Sequence, residues 1–306
     1  MTSLYNLQPS AFRLGLIGYP LSHSLSPRIH NAALRALGLE GEYCLYPVLP
    51  HSLLTSHLGR GAGGEGLYFL ENLLETMRAD QLHGLNVTIP HKQAVMQHLD
   101  ALTPAAQAIG AVNTIFRQGD QLIGDNTDAP GFWDDIVRRL DVSTSRPLDA
   151  LILGAGGSAR AVVYALLSQG YRVTIAARRL EQANALATHF AGKFPNLQLE
   201  TFNLQSKVLR DRPFDIIVNT TPLGMSPNTE ASPWPVETPF PENAAIYDLV
   251  YNPNETLLVR QARAAGLKAV TGFGMLIEQA ALAFERWTGL EAPRTLMHKA
   301  LDEPTK

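Results

Sequence analysis

The sequence predicts an α/β fold of two domains, the second of which contains a doubly wound parallel sheet. The chain has 306 residues, enough for two domains of about 150 residues each. From residue 149 onwards, short apolar segments alternate with segments of helical periodicity, a pattern typical of parallel sheets. A glycine-rich turn at residues 154–159 separates the first apolar segment from the helical segment that follows it.

The first half of the chain has a less regular α/β pattern. Its predicted elements are a strand at 13–18, a helix at 27–37 with proline in its first turn, an edge strand at 42–49 interrupted by Pro47, a strand at 84–89, and a hairpin of 111–116 with 121–124. Residues 59–66 (GRGAGGEG) predict a flexible loop inside a longer segment, 55–80, to which the sequence assigns no role.

The second half predicts strands and helices in regular alternation. The strands are expected at 149–154, 171–176, 197–202, 215–220, 244–250 and 267–272, and the helices at 158–169, from 180, at 255–265 and at 275–287. We therefore expect a first domain of residues 1–127 and a second of residues 128–272. The C-terminal segment 273–306 is expected to pack back onto the first domain.

The composition excludes several classes of function. The formal net charge is −3, so no basic surplus points to nucleic acid or to a membrane surface. Cys44 is the only cysteine, which rules out an intrachain disulfide and favours a reducing cytoplasm. The N-terminal residues lack the pattern of a signal peptide, and we find neither an apolar run long enough to span a bilayer nor a Cys/His cluster with metal-ligand spacing.

Two glycine motifs compete for the role of a dinucleotide-binding turn. Gly61, Gly63 and Gly66 complete the G-x-G-x-x-G pattern, but no strand precedes them. The turn at 154–159 (GAGGSA) ends in alanine, yet it follows an apolar strand and opens a helix, where backbone N–H groups meet a pyrophosphate. Context therefore selects a Rossmann-type phosphate loop of Gly154, Ala155, Gly156, Gly157 and Ser158, and the earlier motif is interpreted as a surface linker.

The end of the next strand indicates which cofactor binds. NAD sites usually place an acidic residue there to hold the ribose hydroxyls, whereas this strand ends TIAARR. Arg178 and Arg179 suit a 2′-phosphate, which favours NADP over NAD. The alternative is that both arginines are merely solvated.

Several polar residues of the first half can line a ligand pocket, although each also has a purely structural interpretation. Lys92 follows a strand that ends in proline, and Asp128 stands at the start of a helix, so they can be a surface lysine and a helix N-cap. Ser24 and Ser26 can hold a carboxylate, although Ser26 can instead cap the helix after it. The remaining candidates, which offer neutral donors and acceptors to hydroxyl groups, are Asn86, Thr88 and Asn113.

The sequence resembles the shikimate dehydrogenase family in segments that occur in order over most of the chain. These segments are SHSLSPRIHN (22–31), GLNVTIPHK (84–92), GAVNTI (110–115), GDNTD (124–128), GAGGSAR (154–160), NTTPLGM (219–225), YDLVYNP (247–253) and GFGMLIEQAALAFERWTG (272–289). Together they are far more specific than a dinucleotide fingerprint.

The resemblance implies a substrate side formed by the first domain with the last helix, an NADP side formed by the middle of the chain, and an active site in the cleft. Lys92 and Asp128 would be the catalytic pair. Substrate contacts would come from Ser24, Ser26 and Tyr251 for a carboxylate, and from Asn86, Thr88, Asn113 and Gln279 for hydroxyls. Cofactor contacts would come from the phosphate loop, Ala177, Arg178, Arg179, Thr220, Leu249 and Gly272.

The implied activity is the reversible NADP-dependent reduction of 3-dehydroshikimate to shikimate, a step of aromatic amino acid (chorismate) biosynthesis. The family usually has Asn-Arg-Thr or Asn-Arg-Ser where this chain has Ala177-Arg178-Arg179. A quinate or dual quinate/shikimate dehydrogenase is one alternative, although Ser26 favours shikimate. A non-catalytic NADP-binding regulator is the second. The sequence leaves a monomer and a homodimer both open.

Overall fold

The protein was analysed as a computed structural model that describes residues 9–50, 68–140, 148–194, 199–203, 212–235 and 238–302. These residues form two compact units, one containing those up to Thr127 and those from Ala280 on, the other running from Asp128 to Gln279. The second division falls inside the last long helix rather than at residue 272. The glycine loop predicted at 59–66 lies outside the described residues.

The first unit contains a mixed six-stranded sheet in the order β2-β1-β3-β5-β6-β4. Its strands are β1 (Phe12–Gly18), β2 (Gly41–Pro47), β3 (Gly84–Val87), β4 (Ala101–Leu102), β5 (Thr114–Gln118) and β6 (Gln121–Asp125). β1 runs parallel to β2 and β3, while β5 runs antiparallel to β3 and β6. The predicted edge strand at 42–49 is found as β2, which lies at the edge of the sheet and ends at Pro47 rather than continuing past it, because proline offers no N–H to a ladder.

Among the described residues before 128, this unit contains the helical segments α1 (Ser26–Ala36), α2 (Leu70–Arg78), a short 3₁₀ helix (Ala94–His98) and α3 (Pro104–Ile109). The predictions from sequence did not include α2 or α3. α2 buries four side chains at helical spacing, those of Leu70, Leu73, Leu74 and Met77. α3 begins after Thr103, whose hydroxyl accepts a hydrogen bond from the Ala106 N–H at 3.2 Å.

The second unit contains a six-stranded sheet in which every pair is parallel, in the order β12-β11-β10-β7-β8-β9. Its strands are β7 (Asp149–Leu153), β8 (Arg172–Ala177), β9 (Leu199–Asn203), β10 (Ile216–Asn219), β11 (Ala245–Asp248) and β12 (Ala269–Thr271). The strand order reverses between β7 and β10. In doubly wound sheets, ligands bind at the carboxyl ends of the strands at this switch point.

From residue 128 onwards, the described part of the chain contains the helices α4 (Asp128–Leu140), α5 (Gly157–Ser168), α6 (Leu180–Ala191), α7 (Leu257–Ala264), α8 (Phe273–Thr288) and α9 (Arg294–Asp302). The C-terminal part of α8 packs on the first unit, where the Trp287 indole N–H donates to the Ile115 carbonyl at 3.0 Å. α9, which was not predicted, also belongs to this unit, and Arg28 at the start of α1 donates to its Ala300 carbonyl at 2.7 Å.

Each unit has its own apolar core. The core of the first includes Ile17, Leu73, Met77, Leu85, Val112 and Ile115. That of the second includes Leu151, Leu153, Ile217, Ile246, Leu258 and Val259. No helix among the described residues is long and apolar enough to cross a membrane. The same residues contain no cluster of three or more His, Cys, Asp or Glu side chains placed to bind a metal ion.

Candidate active site

Two of the predicted substrate residues, Asn86 and Thr88, lie two positions apart at the end of β3. Asn86 lies within the strand and is 5% exposed, while Thr88 follows the strand and is half-buried. The Thr88 N–H donates to the Ile17 carbonyl at 2.9 Å, so the chain after β3 continues along β1. The sheet therefore fixes the backbone from which both side chains project.

The Asn86 amide is held by three hydrogen bonds. Its nitrogen donates to the Asn113 carbonyl at 3.2 Å and to the Thr114 hydroxyl at 3.1 Å. Its oxygen accepts a hydrogen bond from the Tyr43 hydroxyl at 2.8 Å. Burial raises the pKa of Tyr43 well above its usual value, which keeps this phenol a neutral donor. With both amide hydrogens used, the remaining capacity of Asn86 toward a ligand is as an acceptor.

Asn113 is 2% exposed and fixes the chain before α4. Its amide nitrogen donates to the Thr127 hydroxyl at 2.9 Å, and its amide oxygen accepts from the Thr127 N–H at 2.7 Å. Two side-chain donors hold the Asp125 carboxylate, the Thr103 hydroxyl at 2.6 Å and the Arg286 Nε at 2.9 Å. This network fixes the GDNTD segment up to Thr127.

The two predicted catalytic residues lie in different units. Lys92 is half-buried, and its carbonyl accepts from the Val112 N–H at 2.7 Å. The neighbouring His91 ring contacts the Val48 carbonyl through Nε2 at 2.7 Å, which gives this histidine a local structural role. Asp128 is the first residue of α4 and is 6% exposed. Their action as a pair stays a prediction.

Ser24 and Ser26 are both half-buried at the start of α1. The Ser24 hydroxyl accepts from the Ser26 N–H at 3.3 Å. The N-cap of α1 is Leu25, and Ser26 is the first helical residue, so the alternative interpretation of Ser26 as the capping residue is wrong. The two hydroxyls thus stand on one turn, as the carboxylate interpretation requires.

Tyr251 and Gln279 belong to the second unit and are half-buried. Burial raises the pKa of the Tyr251 phenol, so it stays a neutral hydrogen-bonding group. The Gln279 amide nitrogen donates to the Leu276 carbonyl of its own helix at 2.8 Å. This contact uses one of the two amide hydrogens, and the amide oxygen is an acceptor.

The predicted phosphate loop lies at the switch point of the parallel sheet. Gly154 follows β7 with φ +108°, and an added Cβ would lie 2.7 Å from the Thr220 Oγ1, which follows β10. The Thr220 hydroxyl itself donates to the Leu153 carbonyl at 2.8 Å. Gly156 is the N-cap of α5 and supplies no capping side chain, so N–H groups of the first turn remain for an anion. These residues fit a dinucleotide pyrophosphate.

The arginines beside this loop are exposed, whereas Ala177 before them is buried at the end of β8. Arg179 is the N-cap residue of α6 and makes no side-chain cap. Farther along the sheet, the ends of β11 and β12 approach closely, since a Cβ on Gly272 would lie 2.5 Å from the Leu249 carbonyl oxygen. Only glycine fits at position 272. The Leu249 side chain is half-buried, so part of its surface can pack against the planar ring of a ligand.

Comparison with known proteins gives these features a family. A profile of the shikimate dehydrogenase substrate binding domain matches residues 16–115, one of shikimate/quinate 5-dehydrogenase matches 139–222, and one of the shikimate 5′-dehydrogenase C-terminal domain matches 272–301. A shikimate dehydrogenase (NADP⁺) of Salinibacter ruber is 43% identical over 94% of this chain and 95% of its own length.

Solved structures give the same result for the fold. The shikimate 5-dehydrogenase of Thermus thermophilus in complex with NADP(H) and shikimate is 38% identical, with a TM-score of 0.78 over 95% of this chain and 98% of that one. A quinate dehydrogenase from Corynebacterium glutamicum in complex with NAD is 31% identical, with a TM-score of 0.81 over 95% and 98% of the two chains. This chain therefore belongs to the shikimate dehydrogenase family.

Proposed function

We propose that this protein is an NADP-dependent shikimate dehydrogenase. In the reaction, 3-dehydroshikimate, NADPH and a proton form shikimate and NADP⁺, and the reaction is reversible. The observation that carries the proposal is the similarity over nearly the whole chain: 43% identity, over 94% of its length, to an NADP⁺-dependent shikimate dehydrogenase. The motif segments from which Lys92 and Asp128 were predicted support the proposal. Its place in metabolism would be aromatic amino acid biosynthesis.

The roles follow from the chemistry of each side chain. Lys92 would donate a proton to the alkoxide that forms as the ketone is reduced, and would remove it in the reverse direction. Asp128 would orient Lys92 and the reacting hydroxyl. Ser24 and Ser26, on one turn, would hold the substrate carboxylate together with Tyr251.

The ring hydroxyls of the substrate would meet a set of neutral polar groups. Asn86 has both amide hydrogens committed inside the protein and offers an acceptor, so it would receive a hydrogen bond from a substrate hydroxyl. Thr88, Asn113 and Gln279 would complete this contact surface. Neutral partners suit a polyol because they form hydrogen bonds without burying a charge.

NADPH, when bound, supplies the hydride. The residues present fit this cofactor, because the turn from Gly154 to Ser158 provides a close backbone approach and an uncapped helix N-terminus. Arg178 and Arg179 would bind the 2′-phosphate, while Ala177 and Thr220 line the neighbouring strand ends. Leu249 and Gly272 would shape the nicotinamide end. The single cysteine is consistent with a cytoplasmic enzyme.

The test is a comparison of four reactions with the purified protein. Shikimate or quinate is mixed with NADP⁺ or NAD⁺, and the appearance of reduced nicotinamide is followed by absorbance. The proposal predicts a strong signal with shikimate and NADP⁺ and much weaker signals in the other three. Preference for quinate would support the second candidate, for which the similarity to a quinate dehydrogenase is the favouring observation. NADP⁺ binding without turnover of either acid would support a regulator.

A further inference from the structure

The second unit contains a carboxylate that the proposed reaction does not use. Asp248 is the last residue of β11 and is fully buried. It pairs in register with Asn219 at the end of β10 and with Thr271 at the end of β12. Asp248 therefore lies at the level of the sheet where three neighbouring strands end. The residues that follow these strand ends are Thr220, Leu249 and Gly272.

The Asp248 carboxylate accepts hydrogen bonds from three donors. The Asn219 amide donates to Oδ1 at 2.7 Å, and the Val250 N–H donates to the same oxygen at 3.1 Å. The Thr256 hydroxyl donates to Oδ2 at 2.6 Å. Burial raises the pKa of Asp248 to about 6, while these three hydrogen bonds, all of them donated to the carboxylate, act in the opposite direction.

The same hydrogen-bond network also holds the loop after β10. The Asn219 amide oxygen accepts from the Thr221 N–H at 2.9 Å and from the Thr221 hydroxyl at 2.7 Å. The Leu249 N–H donates to the Asn219 carbonyl at 2.9 Å. The Asp248 carboxylate is thus hydrogen-bonded to Asn219, which in turn is hydrogen-bonded to Thr221, and also to Val250. These contacts join the loop around Thr220 to the loop around Leu249. Because Asp248 has no exposed surface, any effect on a ligand passes through these loops.

We propose that Asp248 is a positioning residue that sets the loops after β10 and β11 for the nicotinamide half of NADP. The inference rests on the proposed function for the identity of the cofactor. It assigns Asp248 no role at the adenosine end, because Gly154–Ser158 and the two arginines follow β7 and β8 instead. Loss of the carboxylate should therefore weaken binding of the complete cofactor but not of its adenosine half.

The experiment measures Kd values for NADP⁺ and for adenosine 2′,5′-bisphosphate, which lacks the nicotinamide half, by calorimetry on full-length protein. The variants are Asp248→Asn and Thr256→Val, with Thr256→Ser as the matched variant that keeps the hydroxyl donor. Asp215→Asn is the control, since its carboxylate accepts from the Asp149 N–H at 2.8 Å just before β10, at the other end of the strand.

We expect Asp248→Asn and Thr256→Val to raise the Kd for NADP⁺ about tenfold, the size of one well-made hydrogen bond, and to leave adenosine 2′,5′-bisphosphate within about twofold. Thr256→Ser and Asp215→Asn should match the wild type for both ligands. Equal weakening of both ligands, or no weakening of either, would overturn the inference. A wild type that binds NADP⁺ without oxidising shikimate would refute the proposed function and leave this binding test valid.

Discussion

Replacing His30 with phenylalanine should remove an acid sensitivity from the first unit. His30 is fully buried in α1, and its ring stacks on that of Tyr43 with 4.3 Å between centroids and 7° between planes. The centroid of the Trp287 ring lies 5.2 Å from that of the His30 ring. Neither imidazole nitrogen has a hydrogen-bond partner among the described residues. Protonating this ring in place would therefore bury a charge whose cost the nearby Asn86 side chain offsets only in part.

The magnitude follows from linkage between protonation and folding. Burial lowers the pKa of His30 from 6.5 to about 3, whereas the unfolded chain keeps the ordinary value. Between these two pH values the unfolded state binds more protons than the folded state. The free energy of unfolding is therefore undiminished by His30 above pH 6.5 and decreases as the pH falls below that value. At 1.36 kcal/mol per pKa unit, the loss reaches about 2 kcal/mol near pH 5 and about 5 kcal/mol over the whole window.

The assay is urea unfolding of the wild type, His30→Phe and His30→Leu between about pH 7.5 and pH 5. The two apolar variants will differ from each other by a constant packing term, which the comparison across pH removes. Both should gain about 2 kcal/mol relative to the wild type as the pH falls to about 5. If the free energies of unfolding of the wild type and the variants stayed parallel across this range, His30 would protonate equally in the folded and unfolded states, which would contradict this prediction.

Two further predictions concern the cofactor. Arg178→Ala combined with Arg179→Ala should weaken NADP⁺ by about tenfold or more and NAD⁺ by much less, because only NADP⁺ carries the 2′-phosphate. Equal weakening of both in titrations would count against a 2′-phosphate site. Gly154→Ala should cost about 1–3 kcal/mol of unfolding free energy and also reduce NADP⁺ affinity, since its φ is +108° and the new Cβ would stand 2.7 Å from the Thr220 Oγ1. Wild-type stability and affinity in that variant would show that the turn relaxes freely.

The parallel sheet of the second unit could be predicted from sequence because its signals are local. Each strand is an apolar run followed by a turn and a helical stretch, and the predicted strand at 149–154 was found at 149–153. The choice of Gly154 over Gly61 as the start of the phosphate loop depended on the same local context. The helices α2, α3 and α9 were not predicted. For α3 the end signals are nevertheless present in the sequence: Thr103 is its N-cap, Pro104 lies in its first turn, and Gly110 is its left-handed C-cap.

The buried polar networks could not be predicted, because they join residues that are distant in sequence. Tyr43 and Asn86 are 43 positions apart and meet only because β2 and β3 both flank β1. Asn219 and Asp248 meet through the register of β10 with β11. The sequence presents Asp248 as one polar residue in an apolar strand. Its role depends on donors that only tertiary structure brings to it.

The turnover of Lys92→Ala with shikimate and NADP⁺, measured beside the wild type, tests whether Lys92 is the proton donor. Lys299→Ala is the control, an exposed lysine on α9 in the same unit. We expect the wild type and Lys299→Ala to reduce NADP⁺ at similar rates. Lys92→Ala should lose about 10²–10⁴-fold in kcat, the usual contribution of acid–base catalysis, while its Kd for NADP⁺ stays near the wild-type value. A kcat within a few-fold of the wild type would contradict the assignment of Lys92 as the proton donor.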